Sequence, residues 1–424
     1  MKSKPAILFW LLLFWLSHHL HSQNSVFASK ELVTDLLYNE LVGIKEDLHS
    51  HPELAGQEKR TSKIVENYLL DLGLEVKKGF GGNGIVGILN GHKEGKKIAW
   101  RADMDAAMHV FDDNPNSKTQ IAHICGHDVH TVIGLGIANV LSKMKDSING
   151  TVYFIFQPAE ESFEGAKSMI GDGLFQEIRP DEIFGLHVFP TEIGTVSSKP
   201  NELFAYQRII RLTFDDTIDE ENFEEFFKET MRRFVRNKTD GKPWSLEYLT
   251  HTEHGLMNPN TVYEDYFIVE PHIYRLYDDK TISFECTYYE TDFARLNTIS
   301  KRITNNVIDS KYGEFYIKTS FTAERPTVIN DPKLTGESLN ILKDLYGEDD
   351  VRPFYGQMPY SNEDFIYYQY EVPGVMFLLG ASNKKKGIYA LPHTSEFEVD
   401  EEVIRVGVNY FSNFLTKKIN TNKS

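Results

Sequence analysis

The sequence predicts an α/β protein: a main domain on a mixed, helix-covered sheet, with a smaller inserted α+β domain. Its 424 residues exceed what one ordinary hydrophobic core organises, which favours two domains. Short strands that are apolar on both faces alternate with helical segments, which is typical of a sheet covered on two sides. This pattern stops after residue 205 and returns near residue 324. We therefore expect residues 206–323 to be inserted between two parts of one domain, 29–205 and 324–424.

Residues 1–28 are set apart from this fold. Lys2 and Lys4 precede a short apolar run, Ala6 to Leu16, about half the ~20 residues that a helix needs to cross a bilayer. A basic start, a short apolar core and small residues after it are typical of a secretory signal peptide, although an uncleaved membrane anchor has a similar pattern. We therefore expect an exported protein, periplasmic or secreted, that is not inserted in a membrane after processing.

The predicted elements follow the spacing of the apolar residues. Apolar positions three and four residues apart mark amphipathic helices, and short apolar runs between turn residues mark strands. Predicted helices cover residues 61–71, 130–144, 219–237, 294–308, 361–371 and 401–419. Predicted strands cover residues 84–90, 96–105, 181–190, 281–290 and 374–380, and a further strand begins at residue 150.

Composition narrows the class of function. Hydrophobic residues make up 41% and charged residues 25% of the chain, as in ordinary soluble globular proteins. The formal net charge of −17 repels phosphate backbones, so nucleic acid is not expected as a partner. The chain has two cysteines, Cys125 and Cys286, and if Cys125 binds a metal ion then Cys286 is a lone thiol that we expect to be buried.

The stretch HICGHDVH, residues 123–130, combines three histidines with one of the two cysteines. Cys125 and His127 are two residues apart, so in an extended segment their side chains point the same way. A thiolate and an imidazole could then hold one metal ion. A buried cysteine beside a capping histidine has the same pattern, and the stretch alone does not decide between the two.

Three further signals lie elsewhere in the chain. QPAEES places Glu160 and Glu161 side by side after a predicted strand, so that one carboxylate could bind a metal ion while the other takes a proton from water. His187 ends an apolar strand in GLHVF, and His393 lies in LPHTSEF before the last helix. A solvated acidic pair and edge histidines are the alternatives. All the signals, however, fall at ends of α/β elements, where open sheets bind ligands.

The ordered motifs HSHPEL, RADMDA, CGHDVH, QPAEE, GLHV, SNEDF and PHTSEF resemble those of the M20 metallopeptidase family. Within it, the chain is similar to the amidohydrolase branch of hippurate, N-acyl-amino-acid and auxin-conjugate hydrolases. The resemblance covers the two outer segments of the chain. It implies a catalytic α/β domain around two divalent metal ions, zinc or manganese, and an inserted lid domain through which such proteins often form homodimers.

The resemblance also implies roles for single residues. Glu160 would be the general base and then the general acid, and Asp103 would orient a metal ligand through a hydrogen bond. Arg101 stands where related peptidases have a ligand histidine, and we interpret it as structural. Five residues would be the metal ligands, with the first of them bridging the two ions: Cys125, His127, Glu161, His187 and His393.

The lid departs from the family pattern. The family carries a glycine-rich loop with a histidine, GxGGH, early in the lid, whereas the corresponding stretch here, RIIRLTFDDTIDEENF, has neither residue type. His251 and His254 form the only histidine cluster in the insert and could replace that histidine, although a surface loop explains them equally. Ala107 and Met108 also stand where the family commonly has Leu-Pro.

The predicted function is metal-dependent hydrolysis of the amide bond of N-acyl amino acids or similar small amides. The partner is therefore a small molecule, an N-acyl amino acid or a short peptide. Two alternatives stay open. One is an M20 peptidase of the dipeptidase or carboxypeptidase type, and the other is a catalytically impaired metal-binding relative with an altered lid.

Overall fold

The computed structural model describes residues 37–109, 119–237 and 244–421. The predicted signal peptide, residues 1–28, lies outside these ranges. Strands and helices alternate through most of the described chain, and they are organised by one eight-stranded and one four-stranded sheet. In the described ranges, no helix has both the length and the apolar character needed to cross a membrane.

The strand and helix bounds are as follows. The strands are β1 (Glu75–Phe80), β2 (Gly84–Asn90), β3 (Lys93–Asp103), β4 (Ala107–His109), β5 (Gln120–Ala122), β6 (Asn149–Gln157), β7 (Glu182–Glu192), β8 (Val196–Ser198), β9 (Asn201–Glu202), β10 (Tyr206–Asp215), β11 (Phe267–Asp278), β12 (Thr281–Glu290), β13 (Tyr316–Arg325), β14 (Ile329–Asn330), β15 (Val351–Pro353) and β16 (Gly374–Ser382). The helices are α1 (37–50 in its described part), α2 (Lys59–Asp71), α3 (His127–Lys143), α4 (Gly165–Gly171), α5 (Leu174–Glu177), α6 (Glu220–Arg232), α7 (Leu246–Leu249), α8 (Phe293–Ile308), α9 (Pro332–Tyr346), α10 (Ile366–Gln369) and α11 (Glu402–Asn420).

The larger sheet has the strand order β1-β2-β6-β3-β7-β16-β8-β15. It is mixed, as predicted: β6, β3, β7 and β16 are parallel, whereas β1 and β2 at one edge are antiparallel. Successive residues of a strand face opposite layers, and all nine residues of β16 are buried, so both faces of the sheet are covered. Trp100 of β3 contacts Phe411 of α11, with ring centroids 4.8 Å apart, while its neighbour Ala99 packs in the layer of α4 and α5. The prediction of a helix-covered mixed sheet is confirmed.

The second sheet is antiparallel and has the order β11-β12-β10-β13. Helices α6 and α8 supply Phe223 and Ile303 to a separate core that also contains Phe284 of β12. The helix predicted over 219–237 forms as α6, and Asp219 caps it by accepting the backbone N–H of Asn222. This α+β arrangement is the lid expected from the sequence, and its strands run from Tyr206 to Arg325.

One segment of the insertion packs on the catalytic part of the chain. Residues 244–266, which we call the strap, bury Leu256 and Tyr263 in the core beneath the larger sheet. The backbone N–H groups of Tyr355 and Gln357 donate to the carbonyl groups of Leu256 and Tyr263, each over 2.9 Å. The strap therefore joins the insertion to the loop that precedes α10.

The prediction of a helix over 361–371 is wrong for most of its length. Only the four residues of α10, Ile366–Gln369, are helical, and no side chain caps their start. Glu363 and Asp364 turn inward and bind Arg101 instead. A buried guanidinium needs carboxylate partners, and this requirement outweighs the local helical pattern.

Candidate metal centre

The carboxyl ends of three parallel strands meet at one edge of the larger sheet. Strand β3 ends at Asp103, and β6 ends at Gln157 before the turn with Glu160 and Glu161. His187 lies on β7, two residues beyond the last pair that this strand makes with β3. Open α/β sheets bind ligands at such edges because the connecting chain segments leave a crevice there. Separate elements thus bring the predicted site residues to one place.

Cys125 and His127 reach this edge from the loop before α3, and His127 is the first residue of that helix. The extended conformation expected between them is wrong. Gly126 has a φ of +91°, in the left-handed region, and turns the chain between the two side chains. A Cβ atom at this position would lie 2.5 Å from Cγ2 of Val188. Glycine alone fits both the conformation and the packing, so Gly126 determines how the thiol and the imidazole approach each other.

Hydrogen bonds set the tautomers of two histidines. Nδ1 of His127 lies 3.0 Å from the carbonyl oxygen and 3.1 Å from Oδ1 of Asp105, so Nδ1 is the donor. Nε2 of His127 is buried without a hydrogen-bond partner among the described residues. Nδ1 of His187 donates to the carbonyl oxygen of Val188 over 2.7 Å, and its Nε2 lies 3.2 Å from Sγ of Cys125. When neutral, both imidazoles present an unprotonated Nε2, the form that binds metal ions.

The turn after β6 is strained and holds Glu161 in the cluster. Ala159 and Phe163 have φ angles of +58° and +62°, a conformation that costs free energy for residues with a Cβ and that is frequent at functional sites. The backbone N–H of Glu161 donates to Oδ2 of Asp105 over 2.9 Å. Oε1 of Glu161 is buried, has no hydrogen-bond partner in the described structure and lies 3.5 Å from Nε2 of His393.

The donor atoms of the predicted ligands converge in overlapping groups. Thiolate, imidazole and carboxylate donors are a set that divalent transition metals bind. A cation would also satisfy the two buried atoms that lack partners, Nε2 of His127 and Oε1 of Glu161. The residues therefore fit a metal centre. In each of three groups the donor atoms lie within 4.8 Å of one another: Cys125, His127 and His187; Cys125, Glu161 and His393; His127, Glu160 and Glu161.

Asp105 is the site residue that the sequence analysis missed. Asp103 was expected to orient a ligand, but its Oδ1 lies 2.7 Å from Nδ1 of His130, and its Oδ2 is 3.8 Å from Nε2 of His127. The direct hydrogen bond to His127 comes from Asp105. His130 also accepts the backbone N–H of Val188 through Nε2, so both of its nitrogens are used. The spacing in RADMDA could have indicated Asp105, because its two aspartates are two residues apart and therefore lie on the same side of an extended segment.

Arg101 is 1% exposed and surrounded by acids. Its guanidinium pairs with Asp103, with Glu363 at 2.8 Å and with Asp364 at 3.1 Å. The backbone N–H of Asp364 in turn donates to Oε1 of Glu160 over 3.4 Å. These contacts support the structural interpretation of Arg101, which holds the segment behind Glu160 in place.

Burial governs the protonation of the site. It raises the pKa of Glu160 well above its ordinary value, and the neighbouring charges of Glu363 and Asp364 raise it further. Burial also raises the pKa of Glu161. For His187, burial lowers the pKa well below its ordinary value, which favours the neutral imidazole. Bound cations would favour the ionised carboxylates in the same place.

The cluster opens into a cavity of about 1040 Å³ that both sheets help to line. Cys125, Glu160 and His187 lie on its catalytic side. The insertion contributes Trp244 from the strap and Arg325 from the end of β13. The candidate substrate site therefore lies between the catalytic part of the chain and the insertion.

His251 and His254 do not line this cavity, so the structure does not support them as the replacement for the lid histidine. Their rings stack on each other with centroids 3.7 Å apart. The histidine of the insertion that does line the cavity is His272. It belongs to a bulge of β11 in which Glu270–His272 stand opposite Thr287 alone. Bulges redirect side chains next to active sites, a feature that periodicity does not reveal.

Comparisons with known proteins agree with this geometry. Residues 99–417 match the family described as peptidase family M20/M25/M40. Thermostable carboxypeptidase 1 of Saccharolobus solfataricus is 30% identical over 87% of this chain and 92% of its own length. N-acetyldiaminopimelate deacetylase of Oceanobacillus iheyensis is 30% identical over 89% of this chain and 99% of its own. The crystal structure of Bacillus subtilis YxeP, a dinuclear metal binding peptidase from the M20 family, has a TM-score of 0.69 at 22% identity and covers 91% of this chain and 99% of that one.

The fold and the donor cluster together define a metal-dependent hydrolase of amide bonds. The chain belongs to peptidase family M20, because the family match spans most of its length and a relative at 30% identity covers 87% of it. The recognition made from the ordered motifs is thereby confirmed.

Proposed function

We propose that the protein cleaves the amide bond of N-acyl amino acids or similar small amides with two divalent cations, zinc or manganese. The observation that carries this proposal is the convergence of the thiol, imidazole and carboxylate donors beside Glu160 in one cavity. A relative named for the deacetylation of an N-acetylated amino acid supports it. The ions would be held by Cys125, His127, Glu161, His187 and His393.

Bound cations and protein residues would have separate roles in the hydrolysis. Bound cations would polarise the amide carbonyl group and lower the pKa of water. Glu160 lines the cavity, with Oε2 3.9 Å from Nε2 of His127, and it transfers the proton from the attacking water to the departing amine. Asp105 keeps Nε2 of His127 directed at the cluster. The products are a carboxylic acid and a free amino acid.

A peptidase that acts on short peptides is the second candidate. The relative named thermostable carboxypeptidase 1 favours it. The ratio of activities on N-acetyl amino acids and on matched glycyl dipeptides separates the two candidates. The two substrates differ only in the free amino group that the dipeptide carries on its acyl portion.

Metal content and turnover should be measured together on metal-reconstituted protein, with a chelated control. We expect hydrolysis of at least one N-acyl amino acid in a screen of acetylated and benzoylated amino acids and dipeptides. Cys125→Ala should lose metal on dialysis, because a shared thiolate is removed. A fully loaded protein that cleaves none of these amides would contradict the proposal and would favour the catalytically impaired relative.

Export and self-association are further parts of the proposal. Lys2, Lys4 and the short apolar run support removal of residues 1–28 on export. N-terminal sequencing of protein from the medium or periplasm would contradict this if the chain began at Met1.

Exposed apolar residues on the outer strands of the insertion, among them Tyr277 at 69% and Ile317 at 51%, support a homodimer. Light scattering after size exclusion distinguishes a dimer from a monomer.

A further inference from the structure

The wall that the insertion gives to the cavity carries an acid without a cationic partner. Glu270 lies in the bulge of β11, is half-buried and lines the cavity. Its Oε1 accepts the hydroxyl of Tyr289 over 2.8 Å, and no cation of the described ranges forms an ion pair with it. Glu224 of the same insertion, by contrast, pairs with Lys228 and Arg275. A charged acceptor without a cationic partner in a concave site is a candidate for ligand binding.

Two buried side chains hold this carboxylate in place. Tyr289 is 3% exposed and donates its hydroxyl to Glu270, and Nε2 of Gln207 donates to that hydroxyl over 2.8 Å. Because a carboxylate can only accept, the direction of both hydrogen bonds is determined. The acid is therefore positioned before a ligand arrives, which lowers the entropic cost of binding.

Two amide oxygens in the cavity wall lack a hydrogen-bond donor. The donation by Nε2 fixes the amide of Gln207, and its Oε1 is buried without a partner in the described structure. Nδ2 of Asn362 donates to the carbonyl oxygen of Ala205 over 3.3 Å, while its Oδ1 is likewise buried without a partner among the described residues. Both residues line the cavity. Since an unsatisfied buried acceptor costs free energy, this wall favours a ligand that carries N–H groups.

Aromatic rings cover the same part of the wall. The ring centroid of Tyr360 lies 5.0 Å from that of Tyr289 and 6.3 Å from that of Trp244, and both Tyr360 and Trp244 line the cavity. Burial together with the charge of Glu270 raises the pKa of Tyr360 to about 12, so the acid and this ring are close in space. The faces of aromatic rings attract ammonium groups, whereas hard metal ions prefer oxygen ligands alone. The surroundings of Glu270 therefore favour an organic ammonium group.

Arg325 does not neutralise this acid. Tyr289, Gln207 and Arg325 are in register on β12, β10 and β13, so the first two lie between Glu270 and the guanidinium. Cζ of Arg325 lies 4.8 Å from the ring centroid of Phe163, on the turn after β6, and no ion pair joins it to Glu270 within the described ranges. The negative charge of Glu270 thus remains available to a cationic ligand.

We propose that Glu270 binds an ammonium group on the side chain of the substrate while the amide bond lies at Glu160. The inference rests on the proposed function and deepens it: preferred substrates are Nα-acyl derivatives of amino acids with a side-chain amine, such as lysine or ornithine. Cations bound at the cluster would repel an ammonium group next to the amide bond. Glu270 belongs to the insertion and the cluster to the catalytic part of the chain, so a carbon chain must separate the two groups of the substrate.

Matched substrates and matched variants test this. Nα-acetyl-lysine and Nα-acetyl-6-hydroxynorleucine have the same chain length, and only the first has a charged side chain. If acetyl compounds are not cleaved, the acyl group that the screen favours takes the place of acetyl. The test variant is Glu270→Gln, which keeps the shape and an acceptor for Tyr289. The control is Glu229→Gln, which removes an exposed acid of the insertion that does not line the cavity.

We expect the unmodified enzyme to prefer the lysine compound. Glu270→Gln should lower kcat/KM for this compound by about 10- to 100-fold, chiefly through KM, as for one lost hydrogen bond to a charged group. Its kcat/KM for the hydroxy compound should stay close to that of the unmodified enzyme, and Glu229→Gln should change neither value. An equal loss on both compounds would indicate a merely structural role and overturn the proposal. So would an unmodified enzyme without preference for the lysine compound.

The same proteins separate this inference from the proposed function. If the metal-loaded enzyme cleaves no N-acyl amino acid at all, the proposed function fails. Isothermal titration of Nα-acetyl-lysine into the metal-loaded protein then decides on Glu270 by itself. Weaker binding by Glu270→Gln than by Glu229→Gln supports the ammonium site, and equal binding overturns it.

Discussion

Neighbouring groups hold several donors of the cluster, and at the residue scale these contacts decide which atoms face a cation. Asp105 binds Nδ1 of His127 and the backbone N–H of Glu161, so one carboxylate positions two predicted ligands. His130 uses both ring nitrogens, for Asp103 and for Val188, and is thereby removed from the set of ligands. Such partners orient a ligand and set its tautomer, and their loss weakens metal binding although they never touch the ion.

Glu160→Gln tests the proton-transfer residue. The amide keeps the shape of the side chain but cannot take a proton, so we expect kcat to fall by about 10²- to 10⁴-fold while the metal content stays unchanged. Activity assays and elemental analysis of the same preparation check this. The control is Glu164→Gln, which should retain full activity. Glu164 lies four residues after Glu160, is exposed and pairs with Lys167. A Glu160→Gln enzyme with normal turnover would exclude the assigned role.

Asp105→Asn tests the positioning of His127. Because the ring would lose its charged partner, we expect metal affinity to fall by about 10- to 100-fold, with partial restoration of activity at high metal concentration. Competition titration against a chromogenic chelator measures the affinity. Asp146→Asn, an exposed aspartate outside the cluster, is the control. Unchanged affinity in Asp105→Asn would show that the hydrogen bond to His127 is dispensable.

At the element scale, the site depends on how α3 begins. The helix starts at His127 directly after the left-handed Gly126, and Val188 of β7 packs against the position where a Cβ would be. The turn therefore couples the helix to the strand that carries His187. Loss of this close approach would shift the thiol and two imidazoles relative to one another.

Gly126→Ala should lower both the stability and the metal content. A left-handed alanine costs about 1–2 kcal/mol, and the contact with Val188 adds to that cost. Gly336→Ala is the matched control, since a Cβ on this exposed glycine of α9 would meet no atom within 4 Å and helix propensity favours alanine by about 1 kcal/mol. Thermal unfolding and metal analysis of both variants check the expectation. A Gly126→Ala protein as stable as Gly336→Ala would contradict it.

At the scale of the whole molecule, the cavity is shared between two parts of the chain. The catalytic part of the chain supplies the donor cluster, while β13 and the strap supply Arg325 and Trp244. The strap is tied to the catalytic part by backbone hydrogen bonds at Tyr355 and Gln357, so it limits how far the insertion can separate from the site. Ions bound at the cluster would join segments from distant parts of the sequence.

Metal removal should therefore destabilise the entire protein. A ligand that binds only the folded state at 100 times its Kd adds about 2.7 kcal/mol, so we expect chelation to lower Tm. Scanning calorimetry with and without chelator measures the shift, which Cys125→Ala should reduce. Cys286→Ala removes a buried thiol of the insertion core and should lower Tm while leaving the chelator-dependent shift intact. Identical Tm values for loaded and chelated protein would argue against a metal centre that spans these segments.

Local patterns were sufficient for much of the fold. The strand predicted over 84–90 has the same bounds in the structure, and the helix predicted over 294–308 begins one residue earlier. In both cases the apolar spacing already describes the face that is buried. The pattern failed at 361–371, where Glu363 and Asp364 turn inward to the guanidinium of Arg101.

The sequence by itself determined the fold class, the family and the residue types of a metal centre, since apolar periodicity and ordered motifs are properties of neighbouring residues. The tertiary structure alone decided that Asp105 rather than Asp103 binds His127, and that the guanidinium of Arg325 lies over the ring of Phe163 in the cavity. These contacts join residues from different strands and from both sheets. Their geometry follows from how the sheets pack, which no local spacing specifies.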